Sequence, residues 1–188
     1  MIEAMLMAAG SKGIDWENMP IGTYVESEGG YFSGIMYTEA AGGGQRYALV
    51  VSPKAEGSNS GNTAAWDSAI SYAAGLNIGG YTDWKLPDLD EMRILYRAFK
   101  PTTESNDTSY GATDRVDPPL SNYTSGNPAQ TALTGFQEGG SEAFVTSYYW
   151  SATESGSSAW RVYIDGGGEN LGFKTSNIYV RSVRRVYF

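Results

Sequence analysis

The chain of 188 residues carries a formal net charge of −8 and contains neither Cys nor His. Their absence excludes a disulfide framework, Cys–His and Ser–His–Asp catalytic centres, and thiolate or imidazole metal sites. The acidic balance disfavours nucleic acid as a partner, because phosphate neutralisation needs a basic face.

Hydrophobic residues make up 41% of the chain, which is enough for the core of one domain. No segment approaches the roughly 20 consecutive apolar residues of a membrane span, so membrane insertion is not expected.

Residues 1–20 show no hydrophobic period and include Gly10, Gly13 and Pro20. Two interpretations stay open: a frayed terminus, or an arm that attaches the protein to a neighbouring subunit. We place the folded domain at residues 21–188.

Aromatic and β-branched runs predict strands at Tyr24-Val25, at residues 30–37 and at residues 47–51. Gly42, Gly43 and Gly44 lie between the last two runs. No Lys-Ser/Thr follows them, so they indicate a hairpin connection and not a phosphate loop.

A first helix is predicted from apolar residues at i, i+3, i+4, i+7 and i+8, namely Trp66, Ala69, Ile70, Ala73 and Ala74. Thr63 is the expected N-cap and Gly75 the expected stop.

A second helix is predicted to begin at Asp88, which can form a capping box with Glu91. Its apolar stripe consists of Met92, Leu95, Tyr96 and Phe99. Asp83 and Asp90 lie near the same helix start and raise the alternative of a Ca²⁺ site. Helix capping already explains Asp88 and Glu91, so no metal is expected there.

Residues 100–144 are polar and rich in Ser, Thr, Asn, Gly and Pro, which indicates a functional loop region or a region with short elements of its own. Strands return at the C-terminus, where Trp160, Val162 and Ile164 alternate with Arg161 and Tyr163. We interpret the later Arg181, Arg184 and Arg185 as a solvated or salt-bridged strand face, with phosphate binding as the alternative. Strands, two central helices, long loops and further strands predict an α+β fold with mixed or antiparallel sheets.

Several motifs resemble those of C-type-lectin-like domains that are common in phage tail genes. Residues 79–87, Gly-Gly-Tyr-Thr-Asp-Trp-Lys-Leu-Pro, resemble the motif G-G-[YF]-x-D-W-x-L-P. The resemblance continues in order at residues 100–103, 121–131, 149–154, 159–160 and 180–185.

The resemblance implies a C-type-lectin-like fold, which is shared by formylglycine-generating enzymes and by retroelement-diversified receptor-binding proteins. The enzymes need an active-site Cys that this chain lacks. The Glu-Pro-Asn, Gln-Pro-Asp and Trp-Asn-Asp tripeptides of Ca²⁺-dependent lectins are also absent. We therefore expect no cofactor and no metal.

In the diversified relatives, the final strands and their loops contact the ligand. The corresponding outward-facing candidates here are Arg161, Tyr163, Glu169, Asn170, Phe173, Asn177 and Tyr179. Tyr and Asn on a rigid scaffold provide contact area at low entropic cost. An ordinary polar sheet face is the alternative interpretation.

The leading hypothesis is a non-enzymatic phage tail protein, in a fibre or tip, that binds a host surface glycan or protein. The alternative is a structural virion subunit that contacts only other virion proteins. A glycosidase using Glu138, Glu142 or Glu154 is a third hypothesis, but the sequence implies no pairing of these carboxylates. By analogy with tail tips, we expect a homotrimer, assembled in the host cytoplasm and located in the virion, with residues 1–20 contacting other tail proteins.

Overall fold

The computed structural model describes residues 13–188 and shows an α+β fold of two curled sheets and three helices. The strands are β1 (Tyr24–Val25), β2 (Gly30–Tyr37), β3 (Arg46–Val51), β4 (Thr63–Ala64), β5 (Tyr148–Ser155), β6 (Ser158–Tyr163), β7 (Glu169–Phe173), β8 (Ile178–Tyr179) and β9 (Val183–Tyr187). The helices are α1 (Lys54–Gly57), α2 (Trp66–Ala74) and α3 (Leu89–Phe99).

The first sheet has the strand order β1-β2-β3-β9, and all its pairs are antiparallel. Because β9 is the last strand of the chain and pairs with β3, this sheet joins the two ends of the domain. One of its faces carries Met36, Tyr47 and Leu49 into the main core, and the other carries Phe32 and Val50 into a second cluster.

The second sheet has the order β4-β8-β5-β6-β7, with β5 and β8 parallel and its other pairs antiparallel. Its central hairpin, β5–β6, turns at Gly156, which has a φ of 59°. That conformation is accessible to Gly without the steric cost of a side chain. This sheet ends at β7, whose outer edge pairs with no other strand among the described residues.

Helix α3 lies between the sheets and organises the main core. Met92, Leu95, Tyr96 and Phe99 are completely buried, as the predicted stripe requires. They meet Val51 of the first sheet and Val162 of the second in one cluster. Helix α2 covers part of the opposite face of the second sheet, where Ala69 and Ala73 lie in a cluster with Trp150.

The α+β prediction, the strands at 24–25 and 30–37, and the hairpin between β2 and β3 are confirmed. The capping box is also confirmed: the Glu91 amide donates to Asp88 Oδ1 over 2.9 Å, and the Asp88 amide donates to Glu91 Oε2 over 2.8 Å. The predicted Thr63 cap is wrong. Thr63 belongs to β4, which pairs with β8, and α2 begins after Ala65 without a side-chain cap.

Between α3 and β5, residues 100–147 contain a single turn of 3₁₀ helix at Thr134–Phe136 and no strand. The loop is fastened by apolar anchors, since Val116, Tyr123, Phe136 and Phe144 are all buried in the main core. It is therefore a packed structure in spite of its polar composition.

Residues 1–12 of the expected attachment arm lie outside the described residues. Of the remainder, Trp16 is buried against Phe32 and Phe188, with ring centroids 5.4 and 6.4 Å away. Residues from Ile14 to Met19 thus pack on the outer face of the first sheet.

Candidate functional site

A cavity of about 500 Å³ opens where strands β5, β6 and β7 meet the loop after α3. The side chains that line it include Ser105, Asp107, Tyr110, Tyr148, Tyr163 and Asn170. We call it the tyrosine cavity. Its size falls within the range of about 300–1,000 Å³ that is typical of small-ligand sites.

Strand register explains why polar aromatic residues collect here. Residues directly opposite each other in an antiparallel pair share a face. Tyr148 pairs with Tyr163, and Arg161 pairs with Asn170, so these four residues lie on one face of the sheet. Helix α2 covers a different part of that face, and all four side chains remain partly exposed.

Contacts among these four side chains fix their positions. The Tyr148 and Tyr163 ring centroids are 5.0 Å apart, and the Arg161 guanidinium lies 4.1 Å from the Tyr148 centroid. Asn170 accepts a hydrogen bond from Arg161 Nε over 2.6 Å and donates one to the Tyr148 hydroxyl over 3.0 Å. The aromatic wall is therefore held in place before any ligand binds.

Glu169 lies at the base of the cavity and corrects one expectation. It was predicted to face outward, but it is 3% exposed. Its neighbour Asn170 faces the opposite side of β7, and Glu169 points towards α3, where Arg93 donates to both carboxylate oxygens over 2.9 and 2.7 Å. These bonds raise the pKa of Arg93 above its ordinary value. A buried carboxylate needs such a partner.

The opposite wall comes from the loop and depends on two buried polar residues. Asn106 accepts from the Tyr96 hydroxyl over 2.6 Å and from Lys100 Nζ over 2.8 Å. Lys100 Nζ also donates to the backbone oxygens of Glu104 and Pro128. Burial lowers the pKa of Lys100. The ammonium thus joins three points of the loop from inside.

Gly167 forms the turn beneath the cavity, between β6 and β7. It has a φ of 73°, and a Cβ at this position would lie 2.5 Å from Cε1 of Tyr96. Only Gly can adopt this turn against the Tyr96 and Tyr123 rings without displacing them.

Several polar groups of the cavity remain available to a ligand. Within residues 13–188 the Tyr110 and Tyr163 hydroxyls make no hydrogen bond to protein atoms. The Tyr148 hydroxyl accepts a bond from Asn170 and keeps its own proton to donate. Asp107 uses Oδ1 for the Ser109 amide, over 3.0 Å, which leaves Oδ2 free.

The other three predicted residues lie away from this cavity. Phe173 is 69% exposed at the end of the edge strand β7. Asn177 is exposed in the following turn. Tyr179 is half-buried and stacks on Tyr149, with a centroid distance of 5.6 Å. The structure therefore brings four of the seven predicted residues together: Arg161, Tyr163, Glu169 and Asn170.

The acidic residues near the start of α3 are occupied by cations of the protein. Glu91 is fully buried and pairs with Lys85 over 2.5 Å and with Arg185 over 2.7 Å. Asp90 pairs with Arg93 over 2.7 Å. Across residues 13–188, no three acidic side chains are grouped in a way that could hold a metal ion.

The C-terminal arginines are ion-paired, which confirms the salt-bridged interpretation. Arg181 is 1% exposed and pairs with Glu142 over 2.9 Å, and burial lowers its pKa. Arg184 pairs with Glu28 and Asp83, each over 2.5 Å.

The three loop carboxylates of the glycosidase hypothesis have separate surroundings. Glu142 is bound by Arg181, Glu154 pairs with Lys174, and Glu138 lines a second cavity of about 270 Å³.

No helix of the described chain is both long and apolar enough to cross a membrane.

A family model described as the Lcl C-terminal domain matches residues 31–184, well over half of the chain. The chain belongs to the Lcl C-terminal domain family. The match contains the whole tyrosine cavity and every residue predicted for ligand binding, and it is consistent with the resemblance of the sequence motifs. Comparison with the curated proteins finds no match.

Sequence reasoning missed seven residues that line the cavity of this Lcl C-terminal domain, among them Asp107, Tyr110 and Tyr148. Strand alternation could have indicated Tyr148, because it precedes Tyr149, which is buried in the main core, and so faces the other side of β5. Tyr110 also had a signal, as a single aromatic residue in a polar loop. Asp107 had none, since its position depends on how the loop folds back onto the 166–168 turn through the Asp107 amide and the Gly166 oxygen.

Proposed function

We propose that this Lcl C-terminal domain is a non-enzymatic receptor-binding domain of a phage tail. In this proposal the tyrosine cavity binds a glycan or protein on the surface of a bacterial host. The observation that carries the proposal is a preformed concave site whose tyrosine hydroxyls at 110 and 163 have no partner within the described protein. Amphipathic aromatic rings on rigid strands are typical of recognition sites.

The surroundings of the cavity support binding more than catalysis. Its two acidic residues have different surroundings: Glu169 is buried in an ion pair with Arg93, and Asp107 is exposed to solvent. Paired carboxylates with separate acid and base roles would be needed for glycoside hydrolysis. We therefore propose that a bound ligand is held and released unchanged.

One observation favours the second candidate function, a structural virion subunit. Leu171 and Phe173 are 45% and 69% exposed on the unpaired edge strand β7. Exposed apolar residues at a sheet edge are suited to contact with another protein. In the leading proposal the same edge lies beside the receptor site, in a homotrimeric tail protein whose N-terminal arm contacts other tail proteins.

Binding of fluorescently labelled protein to a panel of bacterial strains tests the proposal. The variant Tyr163→Ala removes one ring of the aromatic wall of the cavity. Tyr24→Ala is the matched control, because Tyr24 is 43% exposed on the first sheet and packs against Tyr31 at the same 5.0 Å centroid distance. Circular dichroism and thermal unfolding establish that both variants are folded.

We expect saturable binding to some strains that Tyr163→Ala weakens at least tenfold and Tyr24→Ala leaves within about twofold, which corresponds to a difference of at least about 1 kcal/mol. Binding to no strain, together with incorporation into particles through Leu171 and Phe173, would reject receptor recognition and favour the structural subunit. Equal losses in both tyrosine variants would reject the cavity as the binding site.

A further inference from the structure

The charge distribution in the tyrosine cavity restricts the ligands that it can accept. Asp107 and Glu169 are the charged residues of its lining, and both are acidic. Arg93 holds Glu169 from the α3 side, whereas Asp107 has no cationic partner within the described chain. An anionic ligand would therefore meet an uncompensated carboxylate.

Arg161 on β6 does not change this balance. Arg161 covers the Tyr148 ring and donates Nε to Asn170, so its position is fixed outside the cavity lining. Moving it towards an anion would break both contacts and would separate Asn170 from the bond that orients it towards the Tyr148 hydroxyl. Arg161, Asn170 and Tyr148 thus hold one another in position.

The available hydrogen-bonding groups suit hydroxyl groups. The Tyr110 and Tyr163 hydroxyls can each donate and accept, the Tyr148 hydroxyl can donate, and Asp107 Oδ2 can accept. A ligand with several adjacent hydroxyls satisfies donors and acceptors of this kind without bringing a charge. The rings add apolar surface, which matches the C–H faces of a sugar ring.

The two ring planes also suggest the shape of the ligand. Tyr148 and Tyr163 are inclined at 44° to each other, so they form an angled wall and not one flat platform. Asp107 and Tyr110 of the loop line the same cavity as Tyr163, so a ligand held there can contact all three. The volume of about 500 Å³ is larger than one sugar ring requires and accommodates a short oligosaccharide.

We infer that the tyrosine cavity binds an uncharged oligosaccharide, with Asp107 and the tyrosine hydroxyls at 110, 148 and 163 bonding its hydroxyl groups. The inference rests on the proposed function, since it names the chemical class of the receptor. It predicts discrimination against sulfated and uronate-containing sugars, and binding that hardly changes with salt concentration.

A panel of immobilised oligosaccharides tests the inference directly on the full chain. The panel contains neutral, uronate-containing, sulfated and amine-bearing members. We expect binding to one or more neutral members, a loss of at least tenfold in Tyr163→Ala and in Asp107→Asn, and wild-type binding in Tyr24→Ala. Asp107→Asn keeps an oxygen that can accept from the Ser109 amide, so the local turn is retained.

Binding only to anionic or only to amine-bearing members would overturn the inference, as would binding to neutral members that survives both cavity substitutions. Binding to no member of the panel would also overturn it.

Binding to treated bacterial cells distinguishes failure of the saccharide inference from failure of the proposed function. Periodate destroys vicinal diols of surface glycans, and protease removes surface proteins. Cell binding that survives periodate, is lost after protease and still depends on Tyr163 would leave receptor recognition intact and reject the saccharide. Absence of cell binding would reject the proposed function, while the panel would still decide whether the cavity accepts neutral sugar.

Discussion

Arg93 connects α3 to the edge of the second sheet through the buried carboxylate of Glu169. Replacing Arg93 with Met leaves this carboxylate buried without a cation, which is expected to cost about 3–5 kcal/mol of unfolding free energy. Urea or guanidinium unfolding measures the change. Arg93 also pairs with the half-buried Asp90, so Asp90→Asn is the control and is expected to cost about 1 kcal/mol or less.

The double variant Arg93→Met/Glu169→Met distinguishes an unpaired charge from lost packing. With both charges removed, most of the lost stability is expected to return, because apolar side chains of similar length can fill the same space. A double variant as unstable as Arg93→Met alone would contradict this explanation.

Strand alternation predicted the outward face only for Arg161 and Tyr163, whereas Asn170 was named together with Glu169 by analogy with the diversified relatives. The structure places Arg161, Tyr163 and Asn170 together at the cavity or its aromatic wall. Glu169 was assigned the same face as Asn170, although consecutive residues of a strand face opposite sides. Its ion pair with Arg93, 76 positions earlier, has no signal in the sequence. Phe173 and Asn177 were grouped with the others because spacing along the chain does not show where β7 leaves the cavity.

The start of α3 combines helix capping with ion pairing at one carboxylate. Asp88 Oδ1 caps the helix, and Oδ2 pairs with Arg115 over 2.6 Å and with Arg185 over 2.8 Å. Burial opposes ionisation, but the Glu91 amide and Arg115 outweigh it, so the pKa of Asp88 lies below its ordinary 3.8. Asp88→Asn keeps the cap and loses the ion pairs, whereas Asp88→Ala loses both.

We expect Asp88→Asn to cost about 1–2 kcal/mol and Asp88→Ala about 1 kcal/mol more, measured by denaturant unfolding at pH 7. The direction in which stability changes with pH follows from the lowered pKa of Asp88. A lowered folded-state pKa stabilises the protein above the unfolded-state value of about 3.9, and this contribution is lost as the pH falls through the folded-state pKa. Asp88→Asn should therefore lose less stability than wild type on acidification below about pH 4. An equal or steeper loss in the variant would contradict the assigned pKa direction.

Helix α2 lacks the cap that α3 has, and Ala65 occupies the N-cap position with extended backbone angles. Ala65→Ser supplies a side-chain oxygen for the amide of the third helical residue and is expected to stabilise the protein by about 0.5–1 kcal/mol. Ala74→Ser, near the exposed end of the same helix, is the control and is expected to give no gain. Thermal unfolding compares the two, and equal effects would argue against capping.

These two helices show what periodicity can and cannot determine. The apolar stripes located both, because burial of a repeating face is a local property of the sequence. The α3 start was also predictable, since its capping partners are three positions apart. The α2 start was not, because Thr63 is drawn into β4 by pairing with Tyr179 at the other end of the chain.

At the scale of the whole molecule, composition and the order of elements predicted the α+β class, and the motifs pointed towards the family. The path of residues 100–147 was not predictable, because its anchors contact elements far away in sequence. Arg181 shows the difficulty: its guanidinium holds Glu142 on the loop and the Ser52 oxygen at the end of β3. The cavity is assembled from this loop, so its outline also lay beyond the sequence.

Lys100 links the interior of the fold to the ligand site, and Lys100→Met tests that link. The substitution leaves the backbone oxygens of Glu104 and Pro128 and the side chain of Asn106 without their shared donor, at an expected cost of about 2–3 kcal/mol. Since the sheets do not contact Lys100 through these bonds, the effect should concentrate in the loop. Hydrogen exchange is expected to accelerate in peptides covering residues 101–128 and to stay nearly unchanged in β2, β3 and β9.

The same variant should bind its ligand at least tenfold more weakly, because Asn106 and its neighbours form the loop wall of the cavity. Lys174→Met is the matched control: Lys174 is also a lysine with a defined partner, Glu154, but it lies beside Trp66 on α2. Its binding should remain within about twofold of wild type, less than 0.5 kcal/mol. Faster exchange in the loop with unchanged binding would show that the strand wall of Tyr148, Tyr163 and Asn170 recognises the ligand alone. A small loss of binding together with a large increase in exchange would indicate that the destabilised part of the loop lies away from Asp107. Hydrogen exchange at the Asp107 amide, which is bonded to the Gly166 oxygen over 2.8 Å, can verify this.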